Sequence, residues 1–242
     1  MSETRFVETA DAPTLAQDAA EFLTARALAK QGRFSICLSG GSTPRALYEV
    51  LATDHFAARF PWARSHWFFG DERFVPHDDK DSNYRMLNQA LFRHVPIPRG
   101  NIYPVAGTGT VEDAAASYQE NLRNFYGSQA LDMTRPLFDV TFMGLGEDGH
   151  TASLFPGNPA LEETVRWVVP VQDPSVPQKR ISLTYPALAC SDKMVFLVAG
   201  QAKNAVLKRV LSGDRSAPAS RATAIGEVIW FVDKAAQENL VF

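Results

Sequence analysis

His150 is the residue best placed in this sequence for acid–base chemistry. It ends the turn Gly144-Leu145-Gly146-Glu147-Asp148-Gly149. Histidine as a residue type exchanges protons near neutral pH, so on a loop beside a substrate it can take a proton from water. Glycines at 144, 146 and 149 let the backbone bend sharply and approach a ligand closely. A loop histidine is by itself more often structural, but the glycine turn and a neighbouring carboxylate favour a base here. Asp148 is a candidate to orient the ring and stabilise its imidazolium. The sequence leaves other carboxylates open for that role, and Asp71, in the turn Gly70-Asp71-Glu72-Arg73, is a second candidate catalytic acid group.

A second turn, Ser39-Gly40-Gly41-Ser42-Thr43, joins an apolar run to a predicted helix. Successive N–H groups at a helix start, together with hydroxyls, make an anion-binding nest. The competing reading is a tight turn in which Ser or Thr merely caps the helix. Arg73, Arg180 and Lys203, each beside a predicted strand end, add local cations that the formal net charge of −3 does not supply. Gly40, Gly41, Ser42, Thr43, Arg73, Arg180 and Lys203 are therefore the candidate binding residues, and a phosphorylated small molecule is the favoured ligand.

Other chemistries fit less well. Gly144 to Gly149 matches G-x-G-x-x-G, but a dinucleotide fingerprint must open a long crossover helix, and Pro156, Gly157 and Pro159 interrupt the chain soon after. The 39–44 segment lacks the final glycine of a G-x-S-x-G elbow and the Lys-Ser/Thr ending of a Walker loop. The histidines at 55, 66, 77, 94 and 150 include no HExxH and no close pair, so a metal site is not expected. Asp78-Asp79-Lys80-Asp81 reads as a solvated turn.

The elements that must carry these turns alternate. Apolar spacing predicts a helix over 14–31, with Leu15, Ala19, Phe22, Leu23 and Ala27 on one face and Gly32 as its stop. Strands are predicted at 33–38, 66–69, 101–105, 138–143, 165–171, 180–185, 193–199 and 227–232. Further helices are expected from Pro44 onward and near 83–92, 111–126, 202–211 and 234–240. This alternation predicts an α/β fold with a largely parallel sheet flanked by helices. Ligands of such sheets bind beyond the carboxyl ends of the strands, where all three polar turns fall. With no linker, low-complexity tract or repeat, residues 1–242 read as a single domain.

Of the 242 residues, 45% are hydrophobic and 21% charged, an ordinary globular composition. The mild net charge gives no sign of a nucleic-acid partner or a membrane surface. Cys37 and Cys190 lie beside apolar runs and read as two buried thiols. The polar N-terminal stretch has no apolar h-region and no run spans a membrane, so the cytosol is the expected compartment.

Taken together, the segments resemble the 6-phosphogluconolactonases. LSGGSTPRALYEVL (38–51), WFFGDERFVPHDDKDSNYRML (67–87) and FDVTFMGLGEDGHTASLFPG (138–157) carry the likeness, completed by RISLTYPAL (180–188) and VAGQAKNAVLKRVL (198–211). Their order covers nearly the whole chain. The resemblance implies a modified Rossmann-like fold and hydrolysis of 6-phospho-D-glucono-1,5-lactone to 6-phosphogluconate, the second step of the oxidative pentose phosphate pathway. It implies no cofactor, a catalytic His150, substrate-site turns containing Gly41, Ser42, Thr43, Asp71 and Arg73, and phosphate-binding Arg180 and Lys203.

Two alternatives remain. Glucosamine-6-phosphate deaminases share the overall plan but usually carry DEY where this chain has Asp71-Glu72-Arg73, and a DGHIAFNEP-like stretch where it reads DGHTASLFP. A non-catalytic sugar-phosphate sensor would generally carry a helix-turn-helix, and only one clear helix precedes the first predicted strand.

Overall fold

Residues 3–240 are described in the computed structural model of the chain. In order they form β1 (Glu3–Thr9), α1 (Ala12–Ala29), β2 (Phe34–Leu38), α2 (Ser42–Leu51), α3 (Asp54–Ala57), β3 (Ser65–Phe69) and β4 (Asp71–Arg73). There follow α4 (Asn83–Ala90), α5 (Val111–Tyr126), β5 (Phe138–Met143), β6 (Val168–Val171), β7 (Arg180–Leu183), α6 (Tyr185–Ala189), β8 (Ser191–Val198), α7 (Asn204–Leu211) and β9 (Glu227–Asp233). Six strands make one sheet in the order β1-β9-β8-β5-β2-β3, every neighbouring pair parallel. The central strands β2 and β5, FSICL and FDVTFM, are buried at every position. Unbroken apolar runs of this kind suit a parallel sheet covered on both faces.

The first helix shows how the sequence writes its elements. Asp11 accepts the Thr14 amide at 2.8 Å as an N-cap, and Pro13 sits in the first turn. Leu15, Ala19, Leu23 and Ala27, four residues apart, are fully buried against the sheet. One hydrophobic cluster runs from Leu15 to Ala236, so both ends of the described chain close on the same core. Cys37 and Cys190 are buried free thiols, as expected.

The order of strands creates the site. From β2 the chain goes outward to β3, whereas β5 lies on the other side of β2 and leads on towards β8 and β9. The crevice at this reversal, above the ends of β2 and β5, is where ligands of open α/β sheets bind. The SGGST turn follows β2, the GDER segment follows β3 and the glycine turn follows β5.

Several expectations fail for physical reasons. Residues 101–105 form no strand: Ile102 makes a single bridge to Trp67, and Pro104 has no N–H to extend the ladder. The helix expected over 234–240 is a series of turns. Its backbone groups are diverted to tertiary partners, the Ala236 amide to Asp233 and the carbonyls of Ala236 and Glu238 to the Asn204 side chain. The strands at 165–171 and 180–185 leave the parallel sheet and join β4 in a second, antiparallel one, ordered β4-β7-β6. Between β5 and β6 there are only turns and a 3₁₀ segment, Pro159–Glu162, with no crossover helix to return the chain in parallel. β1 and β4 were not expected as strands; β1 is a polar edge strand paired only with β9, and β4 is three residues inside what reads locally as a turn.

Two buried tyrosines secure the strand ends that lead into the site. The Tyr48 hydroxyl accepts the Ser39 amide at 3.0 Å and donates to the Ser39 carbonyl at 2.8 Å. Tyr118, on α5, does the same for Phe69, at 2.7 and 2.9 Å. Replacing Tyr118 by Phe strands a buried amide and a buried carbonyl, at a cost of about 2 kcal/mol. A thermal melt of Tyr118→Phe should show Tm lower by about 4–8 °C. An unchanged Tm would mean that water replaces the hydroxyl without loss.

Candidate active site

The cleft at this crevice has a volume of about 240 Å³. Gly40, Gly41, Ser42, Thr43, Asp71, Arg73, His150, Arg180 and Lys203 all line it, so nine of the ten residues singled out from sequence meet in one place. Asp148 is the tenth; it is outside the lining and bonds both the backbone amide and the ring of His150.

His150 is oriented by its own turn. One Asp148 oxygen, Oδ1, accepts the His150 backbone amide at 3.0 Å and lies 2.6 Å from Nδ1. With Nδ1 donating to the carboxylate, Nε2 is the ring nitrogen left to accept a proton. Of the carboxylates left open by sequence, Asp148 is thus the one in contact with the ring. The turn is closed by the Gly146 amide on the His150 carbonyl at 2.9 Å and by the Thr151 hydroxyl on the Gly144 carbonyl at 2.8 Å. A Cβ at Gly146 would lie 2.2 Å from His150 Nδ1 and 2.7 Å from Asp148 Oδ1, so glycine there makes room for the pair. Gly149 adopts φ +94°, a left-handed conformation that favours glycine. The His150 ring also meets Phe155, with centroids 4.8 Å apart.

The SGGST turn carries no side-chain cap. The residue in the cap position of α2 is Gly41, at φ 104°, and no side chain accepts from the first-turn amides. The competing Ser/Thr-cap reading therefore does not describe this turn, and the amides stay available at the positive end of the helix dipole. Gly40 is packed so tightly that a Cβ would lie 2.1 Å from Asn83 Oδ1.

Arg73 and Arg180 are far apart in sequence but directly opposite one another in the β4–β7 pair, which also sets Asp71 across from Ser182. Strand alternation turns Glu72 the other way, into a buried position where it accepts the amides of Arg73, Asn83 and Tyr84 at 2.7–2.8 Å. Burial pushes the Glu72 carboxyl up, and these amides oppose that shift. Asp71 accepts the buried Ser153 hydroxyl at 2.6 Å and faces Arg180 at 3.9 Å. Burial lowers the proton affinity of the Arg180 guanidinium, and Asp71 opposes that effect. The Nε atoms of Arg73 and Arg180 are buried without a partner among the described residues. Lys203, whose turn is held by Gly200 donating to Asp233 at 3.0 Å, makes no ion pair among the described residues. Three cations thus converge with one carboxylate in the lining. Side-by-side guanidiniums repel, and a phosphate between them would remove that cost.

Sequence reasoning missed Asn83, Ser153 and Phe155. Each matters through a partner distant in the chain, and only the polar surroundings of Asn83 at a helix start offered a local signal. Among the described residues no group of three His, Cys, Asp or Glu side chains is placed to hold a metal ion. No α-helix follows the Gly144–Gly149 turn, so the dinucleotide reading lacks its crossover helix.

Comparison with known proteins finds relatives over most of the chain. A 6-phosphogluconolactonase of Synechocystis is 39% identical over 219 residues, 89% of this chain and 88% of its own. One from Rattus norvegicus is 39% identical over 218 residues, 87% of this chain and 82% of its own. The crystal structure of 6-phosphogluconolactonase from Thermotoga maritima superposes with a TM-score of 0.82 at 29% identity, covering 96% of this chain and 100% of that one. Residues 10–230 match the model of a single family, and the chain belongs to that family, the glucosamine-6-phosphate isomerases/6-phosphogluconolactonases.

Proposed function

We propose that the chain, acting as one domain, hydrolyses 6-phospho-D-glucono-1,5-lactone to 6-phosphogluconate, the second step of the oxidative pentose phosphate pathway. The observation that carries this reading is a histidine with a free Nε2 in the same cleft as three cations and an uncapped helix start. His150 takes a proton from water, and the resulting hydroxide attacks the lactone carbonyl carbon. Charge develops on the carbonyl oxygen, where the SGGST amides and Arg73 are the candidate donors. The bond from carbon to ring oxygen then breaks, and the imidazolium returns its proton to that oxygen. Asp148 stabilises the imidazolium between the two transfers.

In this reading Arg180 and Lys203 hold the phosphate, and Asp71 positions Arg180 while tying β4 to the loop after His150. No metal or organic cofactor takes part. No described helix is long and apolar enough to cross a membrane. Two free buried thiols fit a reducing compartment, read as the cytosol.

The test is a coupled assay with freshly generated lactone, corrected for spontaneous hydrolysis, run beside glucosamine 6-phosphate. The proposal predicts accelerated lactone loss, unchanged by a chelator, and no ammonia. Ammonia release without lactone turnover would assign the deaminase alternative, and tight binding without turnover would assign a sensor.

Two variants probe the parts. Gly146→Ala forces the ring aside and should lower kcat about a hundredfold with little change in Tm. Wild-type kcat in that variant would mean that the ring position is not critical. Arg180→Ala should lower kcat/KM on the phosphorylated lactone about ten- to a hundredfold, mainly through KM. Its effect on unphosphorylated glucono-1,5-lactone should be far smaller. Equal losses on both lactones would remove Arg180 from phosphate binding.

A further inference from the structure

We propose that Phe155 is a positioning residue that holds the base and the phosphate-binding cation at a fixed separation, and so sets the preference for a phosphorylated lactone. The inference rests on the lactonase reading of the cleft. Phe155 is 2% exposed, and it lies five residues after His150 in the chain. Its ring meets the His150 ring at 4.8 Å between centroids, tilted by 42°. The Arg180 guanidinium carbon lies over the same ring, 5.7 Å from its centroid. Two functional groups from different segments, the turn after β5 and the start of β7, therefore rest on one side chain.

What lies behind the ring makes it a rigid support. Phe155 belongs to a small cluster of its own with Val169 and Val171 of β6, backed by Ala160 and Val176, and separate from the main core. β6 pairs with β7 and β7 with β4, so the second sheet carries Arg73 and Arg180 and also packs the ring that supports His150.

Arg180 needs such a support. Its one ion-pair partner among the described residues, Asp71, is 3.9 Å away, and its Nε has no partner. A guanidinium over an aromatic face gains electrostatic attraction, more so when desolvated, and its plane is confined by the ring. His150 has a hydrogen bond from Nδ1 to Asp148 and a ring contact with Phe155, which together restrict its rotation. Removing the ring frees both groups, but with different consequences. A loosened His150 slows hydrolysis of any lactone, whereas a loosened Arg180 weakens only the phosphorylated one.

The test compares Phe155→Leu with wild type on 6-phosphogluconolactone and on unphosphorylated glucono-1,5-lactone. Phe155→Leu should lower kcat on both and, in addition, reduce the ratio of kcat/KM values, phosphorylated over unphosphorylated, about tenfold through KM. In an Arg180→Ala background the same substitution should leave that ratio unchanged, because the ring then has no cation to hold. Val169→Ala, which opens a cavity behind the ring at a position paired with Ser182 rather than Arg180, guards against a general packing defect and should shift the ratio much less. Equal fractional losses on the two lactones, a ratio effect that persists without Arg180, or a Val169→Ala shift as large as that of Phe155→Leu would each overturn the inference. A wild type inactive on both lactones would overturn the lactonase reading, and this inference with it. An active wild type whose variants show any of those three patterns overturns the inference alone.

Discussion

A single carboxylate oxygen, Asp148 Oδ1, holds both the backbone and the side chain of His150, and the arrangement of the cleft follows from that bond. Because Nδ1 is committed to Asp148, Nε2 is the nitrogen left for substrate chemistry. The bond forms only because position 146 carries no side chain, since the ring lies close to where a Cβ would be. The Thr151 hydroxyl on Gly144 and the Ser153 hydroxyl on Asp71 then fix the chain that leaves the histidine. In the proposed reaction a base held in this way needs no reorganisation to meet a water molecule, and that saving is itself a source of rate.

The two sheets divide the work. The parallel sheet supplies strand ends: β2 leads to the uncapped start of α2, and β5 leads to the turn that carries His150. The antiparallel sheet supplies charge, by pairing Arg73 with Arg180 across β4 and β7. The cation cluster is therefore a product of pairing between strands rather than of local sequence. The lining holds one carboxylate, Asp71, and the Nε atoms of Arg73 and Arg180 are buried without a partner among the described residues. In the proposed reaction these cations attract the phosphate locally, in a protein whose formal net charge is −3.

This division also explains what could be read from the sequence. His150, Asp148 and the SGGST turn are legible because their chemistry is local: glycines that bend, a carboxylate two residues from a ring, amides at a helix start. The parallel sheet is legible in the apolar runs of β2 and β5. The pairing of Arg73 with Arg180 is not, because β4 is three residues long and looks like a turn until β7 lies beside it. Ser153 and Phe155 carry no local signal at all, since their importance lies in Asp71, His150 and Arg180. The misplaced strand at 101–105 and helix at 234–240 fail alike, through Pro104 breaking a ladder and through Asp233 and Asn204 taking backbone partners.

The central claim is that His150 moves the proton in both halves of the reaction. It is tested most directly by His150→Asn, which keeps a polar side chain of similar reach but cannot act as a base. With freshly generated 6-phosphogluconolactone and correction for uncatalysed loss, the variant should lose about 10²–10⁴ of the enzymatic rate while its melting curve stays that of the wild type. A folded variant that retains most of the wild-type kcat would contradict the account.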